Sequence, residues 1–344
     1  MMKRQALAAK LLSLSLVAVL CLASRVLAQP PGGSEEQAPR GPEAAEPRGW
    51  RGALTLGGTL NLIQSDNVVG QADAFTVLVG LSVAGQADYV EGPHELRNSL
   101  LLNLAWARTP AAAELVKSND LVRAESLYHR RLVGRTGPYA HVALITHLLP
   151  AEDVRPFPRP YLLERPDGTV EPLVPQRLRL SGALNPLTLT QAAGWLARPV
   201  ESPALTWNVR LGAGARQTLL RGDTFVLLER EDTPEVDVVQ VAPVFQAGLE
   251  LATGLRGALE EGRLGYELGA SALVPLVSNG ERGRTPLERV RLVTEARVNV
   301  AVLRWLTLSY QLLVVYDREF LDAVQTQNNL LLRVQYTLGS SPQR

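Results

Sequence analysis

Apolar and polar residues alternate with a period of two along most of this chain, in runs long enough to constrain the fold more than any other feature. That period belongs to the β-strand, whose successive side chains point to opposite faces. Leu54, Leu56, Leu60 and Leu62 oppose Thr55, Gly57, Thr59 and Asn61; Phe75, Val77, Val79, Leu81 and Val83 open a second run. Leu96, Leu100, Leu102, Leu104 and Trp106 oppose Arg97, Ser99, Asn103 and Ala105 in a third. Toward the C-terminus Leu306, Leu308, Tyr310, Leu312, Val314 and Tyr316 face away from Thr307, Ser309 and Gln311. Soluble strands usually run about five or six residues, whereas a tilted strand crossing an outer membrane needs roughly nine to eleven. With weaker runs at 117–133, 138–149, 174–194 and 236–252, the pattern predicts an all-β fold: an antiparallel up-and-down transmembrane β-barrel of about twelve strands, the even number bacterial barrels favour.

Such barrels have short turns at one end and longer loops at the other. The odd-numbered connections are expected near 64–72, 109–116, 150–173, 219–235, 277–285 and 318–326. The even-numbered ones are expected near 88–94, 134–137, 195–203, 253–258 and 303–304, and most are shorter.

The N-terminus bears on compartment. Lys3, Arg4 and Lys10 precede the apolar run 11–23, and Val26, Leu27 and Ala28 follow it. This is the pattern of a removable signal peptide over 1–28. A Pro-, Gly- and Glu-rich stretch at 29–49 holds too little apolar surface to repay its ordering entropy and reads as a linker. The barrel is expected over 50–338, with a polar tail at 339–344. The single cysteine, Cys21, falls in the signal segment, so disulfides are not expected to staple the barrel. No apolar run in 29–344 is long enough for a spanning helix. The 35 basic and 34 acidic residues are mixed along the chain for a net charge of +1, which excludes a nucleic-acid-binding stripe.

Charge sits on the polar face of the runs. Arg97, Arg123, Glu125, Arg210, Glu250, Glu267, Arg291, Glu295, Arg297 and Arg333 are the candidates to line a narrow, charge-paired lumen. The apolar face carries almost no charge, as expected where a midplane Arg or Lys costs about 2–4 kcal/mol. Trp106, Trp207, Trp305, Tyr310, Tyr316 and Tyr336 lie toward run ends, where an interfacial girdle places aromatics.

Catalytic and metal patterns are weak. His94, His129, His141 and His147 are the only histidines, and a separation of six residues along a strand, roughly 20 Å, is too far for His141 and His147 to hold one ion. Ser126 and His129 point to opposite faces and cannot form a nucleophile–base pair. Asp66-Asn67 and Lys117-Ser118-Asn119-Asp120 suit calcium or sugar contacts but are equally explained by turn chemistry. Gly212 and Gly214 are followed by no helix, so no phosphate cradle is expected. No catalytic residue, metal ligand or cofactor is therefore predicted.

Several segments carry a resemblance: Val69 to Phe75 (VGQADAF), Tyr89 to Asn98 (YVEGPHELRN), Val116 to Tyr128 (VKSNDLVRAESLY), Gly137 to Ala140 (GPYA), Asp153 to Pro156 (DVRP) and Gln325 to Leu332. In these the chain resembles a bacterial family, the domain-of-unknown-function 3078 group. The resemblance implies a β-protein of the outer membrane or facing the periplasm, and no activity.

The expectation is a non-enzymatic outer-membrane barrel, serving as a narrow pore, a small-solute transporter or a structural scaffold. Its partners would be outer-membrane lipid, the barrel-insertion machinery and a small solute, with no nucleic acid. The rival is a secreted or periplasmic soluble barrel or sandwich binding an apolar ligand; a third reading is an assembly partner acting through 29–49.

Overall fold

A computed structural model describes residues 49–65, 74–109, 112–165, 167–202, 204–229, 235–279, 285–303, 305–317 and 321–339. The predicted signal peptide, nearly all of the linker, the Asp66-Asn67 pair and the tail beyond 339 lie outside the described residues.

The first five strands are β1 (Gly49–Ser65), β2 (Ala74–Glu91), β3 (His94–Thr109), β4 (Ala112–Arg130) and β5 (Thr136–Thr146). The next connection carries four short strands: β6 (Ala151–Val154), β7 (Tyr161–Glu164), β8 (Val170–Leu173) and β9 (Arg177–Ser181). Then come β10 (Leu187–Glu201) and β11 (Thr206–Leu219), the short β12 (Phe225–Glu229) and β13 (Val236–Gln240), and β14 (Val244–Leu259). The chain ends with β15 (Leu264–Ser278), β16 (Arg291–Leu303), β17 (Leu306–Asp317) and β18 (Leu321–Gly339).

Among the described residues, twelve antiparallel strands close a barrel in the order β1-β18-β17-β16-β15-β14-β11-β10-β5-β4-β3-β2. Each long strand pairs with its chain neighbour, so the up-and-down topology follows from short connections and strands that need partners on both edges.

Strand ends depart from the apolar pattern in an instructive way. β10 continues to Glu201 through a bulge between Ala197 and Val200, β14 reaches Leu259, β4 begins at Ala112 and β18 at Leu321. The turns expected at 195–203, 253–258, 109–116 and 318–326 are therefore confined to 202–205, 260–263, 110–111 and 318–320. Backbone pairing continues past the last alternating residue, because a bulge absorbs one irregular position without ending the ladder. Two of the expected outer connections, 110–111 and 318–320, are thus short. Conversely, the run at 174–194 divides between β9 and β10, and 236–252 between β13 and β14.

The long connections 147–186 and 220–243 build a cap. One sheet has the order β12-β13-β7-β8, with β13 and β7 parallel and drawn from different connections; β6 and β9 form a second. Tyr161, Leu163, Val236 and Val238 are its buried core, packed by Leu173, Leu178, Phe225 and Leu227. Burial of side chains of this size contributes about 1.5–3 kcal/mol each, which lets two loops hold a fixed shape. Asp120 of β4 anchors the start of the first loop, accepting hydrogen bonds from the backbone N–H groups of Leu148 (2.8 Å) and Leu149 (2.7 Å) and from Lys117 Nζ (3.0 Å). The Lys117–Asp120 segment is thus strand, and its carboxylate is a structural acceptor.

The seam where the barrel closes is short. β1 and β18 pair only from Ala53↔Gly339 to Gly58↔Val334. Toward the loop end β1 stays paired to β2 as far as Ser65, and β18 to β17 as far as Leu321. Over 59–65 and 321–333, however, the two strands make no ladder pairs with each other among the described residues.

Tyr161 donates its hydroxyl to Asp153 Oδ2 at 2.8 Å in the cap core. Tyr161→Ala should cost about 3–5 kcal/mol of cap stability through the cavity it leaves. Limited proteolysis should then cut 147–186 while the barrel keeps its heat-modifiable gel mobility; unchanged cleavage would count against the cap core. Burial, and then the Asp153 carboxylate, hold the Tyr161 hydroxyl above its usual value of 10. The unfolded phenol ionises first, so this contribution is full below pH 10 and is lost as pH rises through the folded value. Protease resistance of the cap should decline over that range.

Candidate functional site

The register decides which residues share the lumen. Opposite residues on neighbouring strands project to the same face, so one row runs Arg97, Leu127, His141, Ala192, Gly214 and Gly248. The opposite face carries Leu54, Leu56, Leu81, Leu211, Leu249 and Leu251, all exposed. Around the end bearing the termini and short turns this outer face adds Trp50, Tyr128, Trp195, Trp207 and Trp305, also exposed; Trp50 packs on Tyr89 with ring centroids 5.2 Å apart.

The buried polar groups face inward, in three levels. At the termini end, Glu95 of β3 accepts from Arg198 Nη2 of β10 at 3.1 Å and pairs with Arg97. His129 Nδ1 lies 3.8 Å from the same carboxylate. Arg198 also holds Glu201 Oε1 at 2.9 Å and Asn208 Oδ1 at 2.9 Å. Glu95 and Arg198 are at most 5% exposed, so their charges are compensated by one another rather than by water.

At mid-height Arg123 of β4 places Nη1 2.7 Å from both carboxylate oxygens of Glu295 on β16, and its Nε pairs with Glu125. Five strands separate β4 from β16 in either direction around the wall, so this contact joins opposite sides of the barrel. Beside it Arg297 Nη1 lies 3.0 Å from Glu267 Oε2 on the adjacent strand. A cavity of about 80 Å³ adjoins the pair, lined by Leu101, Asn103, Leu121, Arg123, Glu295 and Gln311 among others. At the loop end Arg216 of β11 pairs with Asp317 of β17, and Arg291 Nε lies 3.6 Å from that carboxylate. Arg216 is fixed further by Gln246 Oε1 and Thr218 Oγ1, each at 3.2 Å.

Of the ten sequence candidates, Arg123, Glu125 and Glu295 come together, as do Arg297 and Glu267. Arg97 and Arg291 join carboxylates outside that set, Glu95 and Asp317. Arg210 lies over the Tyr139 ring, 5.7 Å from its centroid. Glu250 is buried on β14 against Gly214, where an added Cβ would meet Glu250 Oε2 at 2.8 Å. Arg333 pairs by its backbone with Thr307, and its side chain lies outside the described ones. Sequence reasoning missed Glu95, Arg198 and Asp317 as lumen groups because Arg198 falls where a turn was expected, Glu95 follows directly on another and Asp317 ends a run. His147 lies just beyond β5, where its carbonyl accepts from Leu184 N at 2.8 Å. His94 Nδ1 is 2.7 Å from the Tyr128 hydroxyl.

Among the described residues no group of three or more His, Cys, Asp or Glu is placed to hold a metal ion. The arrangement is one of compensated charge closing a lumen.

No family model matches the chain, and no curated protein matches it. Among solved structures it is similar to the β domain of the Bordetella autotransporter Brka, with 14% identity over 83% of this chain and 97% of that one and a TM-score of 0.32. An outer membrane channel from Pseudomonas putida F1 is 11% identical over 88% of this chain and 100% of its own, with a TM-score of 0.34. Pseudomonas aeruginosa OccK5 (OpdH) is 10% identical over 85% and 99%, with a TM-score of 0.24. The barrel's architecture is established by its own strand register.

Removing one partner of a buried ion pair costs about 3–5 kcal/mol, because the other charge is left uncompensated. Glu95→Ala, which takes from Arg97 its carboxylate and leaves the buried Arg198 only Glu201, should therefore lower the urea midpoint of the barrel in detergent far more than Glu267→Ala, whose carboxylate is 60% exposed. Equal shifts for the two variants would contradict the burial argument.

Proposed function

We propose that the chain is a non-enzymatic β-barrel of the outer membrane whose lumen is a narrow passage for a small polar solute, held shut at rest by ion pairs. The observation that carries this reading is the contact of Arg123 with Glu295 between opposite walls. Such a pair obstructs the axis, yet both side chains are about a third exposed. Water reaches them, so they can exchange partners instead of forming a permanent core.

The membrane part of the proposal rests on the inversion of polarity. Apolar side chains cover the outside, aromatics ring the end with the short turns, and charges face inward. A soluble barrel that binds an apolar ligand needs the reverse arrangement, so the inversion favours lipid over water around the wall. The connections 147–186 and 220–243 and the turns 92–93 and 304–305 lie at opposite ends, which supports placing the termini in the periplasm and the cap outside.

A second reading, a scaffold with a permanently filled lumen, is favoured by one specific observation. Tyr139, Ala192 and Leu196 pack together inside the wall with Leu127, as a small core would. Planar-bilayer recording separates the two. The wild-type barrel should be silent or open rarely, and Glu295→Ala or Arg123→Ala should raise open probability roughly tenfold, the ratio that corresponds to about 1.4 kcal/mol. Variants as silent as the parent would sink the passage and leave the scaffold.

A further inference from the structure

We infer that the unpaired stretch of the seam between β1 and β18 is a lateral opening, through which the acyl chain of an outer-leaflet amphiphile enters the lumen. The inference rests on the membrane-spanning reading above and extends it from polar solutes to a lipid-like class.

The first observation is the ladder itself. Among the described residues β1 and β18 pair at the termini end only, while each remains paired to its other neighbour through the stretch where they part. Both are therefore formed strands that present an edge, not frayed ends. A strand edge facing hydrocarbon leaves N–H and C=O groups unsatisfied at several kcal/mol each, so an edge at this depth has to be met by something polar or by water. The zipped segment lies on the periplasmic side in the proposed orientation, so the unpaired edges face the outer leaflet.

The second observation is independent of pairing: the chemistry of the wall beside the gap. In the loop-end half, the lumen positions of the flanking strands are Ala105, Asn103 and Leu101 on β3, Gly80 and Ser82 on β2, and Leu313 and Val315 on β17. None of these is charged and most are small or apolar; Asp317, at the end of β17, is paired with Arg216 of β11. On β1, Thr59 continues this register. Outside the gap Val324, Leu332 and Val334 are exposed, as lipid-facing positions are.

The charged groups of the lumen are paired with one another, Asp317 with Arg216 and Arg291 at the loop end. Glu95, Arg97 and Arg198 sit at the termini end, and Arg123–Glu295 crosses the lumen and divides the β1–β18 side from the β10–β11 side. The result is a compartment closed toward the periplasm by ion pairs and open sideways to hydrocarbon. That combination suits an amphiphile: the chain rests among Leu101, Leu313 and Val315, and its polar end meets the unpaired backbone.

Lipid access can be measured directly, with Cys21→Ser as background so that introduced thiols are the only ones. Bimane is attached at Thr59→Cys beside the gap, at Ser271→Cys on the lumen face of β15, or at Leu251→Cys on the outer face of β14. Each protein is reconstituted in phosphatidylcholine vesicles with or without dibrominated acyl chains. Bromine should quench bimane at 251 and at 59 strongly, at least twofold, and leave 271 unchanged. The added pair Leu62→Cys and Leu330→Cys, opposite one another if the ladder were extended, is oxidised before labelling at 59. Closing it should remove quenching at 59 and leave 251 quenched.

Quenching at 251 without quenching at 59, or quenching at 59 that survives the disulfide, overturns the lateral opening while the spanning barrel stands. Quenching at 271 equal to that at 59 overturns it as well, since lipid would then reach the whole lumen. Absence of quenching at 251 overturns the spanning reading and the opening together.

Discussion

A backbone amide surrounded by hydrocarbon has no solvent to bond with, and the proposed membrane placement makes that the governing constraint on this fold. Strands placed in lipid must find partners along both edges, so the sheet has to meet itself; with twelve strands and short turns the solution is an up-and-down barrel. Closure then sorts the side chains. Period-two alternation sends every second residue outward, where charge is expensive, and collects the rest in an interior too narrow to hydrate each ion separately. Carboxylates and guanidiniums in such a space find one another, which is why Arg and Glu from distant strands end in contact at three heights.

The interior pairs differ in what surrounds them. Arg198 with Glu95, and Arg216 with Asp317, are buried and held by further hydrogen bonds, so they behave as rivets between wall segments. Arg123 with Glu295 is wetter and spans the full width. A wet pair trades protein contacts for water at little net cost, whereas a dry one does not. Rigid pairs at the two ends and a labile one between them make a frame with a movable crosspiece.

Much of this architecture was legible in the residues. The lumen face could be written down from alternation alone for β11, β15 and β16, because in those strands each charged residue falls on the polar parity. What escaped was wherever backbone pairing outlasts the pattern. Glu95 follows Gly92 and Pro93, Arg198 stands next to Pro199 at a bulge, and Asp317 closes a run, so each carries local signals of a turn although the ladder runs on. The pairing of Arg123 with Glu295 is unreadable for a different reason: contact across a lumen depends on ring order, not on spacing. The short seam lies equally beyond reach, since nothing in β1 or β18 says where their partnership stops.

The parallel pairing of β13 with β7 ties two separate loops into one sheet. Glu114 of β4 and Glu152 of β6 then clasp Arg177 of β9, fixing that sheet's companion to the rim. Loops joined this way cannot drift independently in evolution. A residue gained in one shifts its register against the other and exposes Tyr161 and Val236 to water, so the two long connections constrain one another's length.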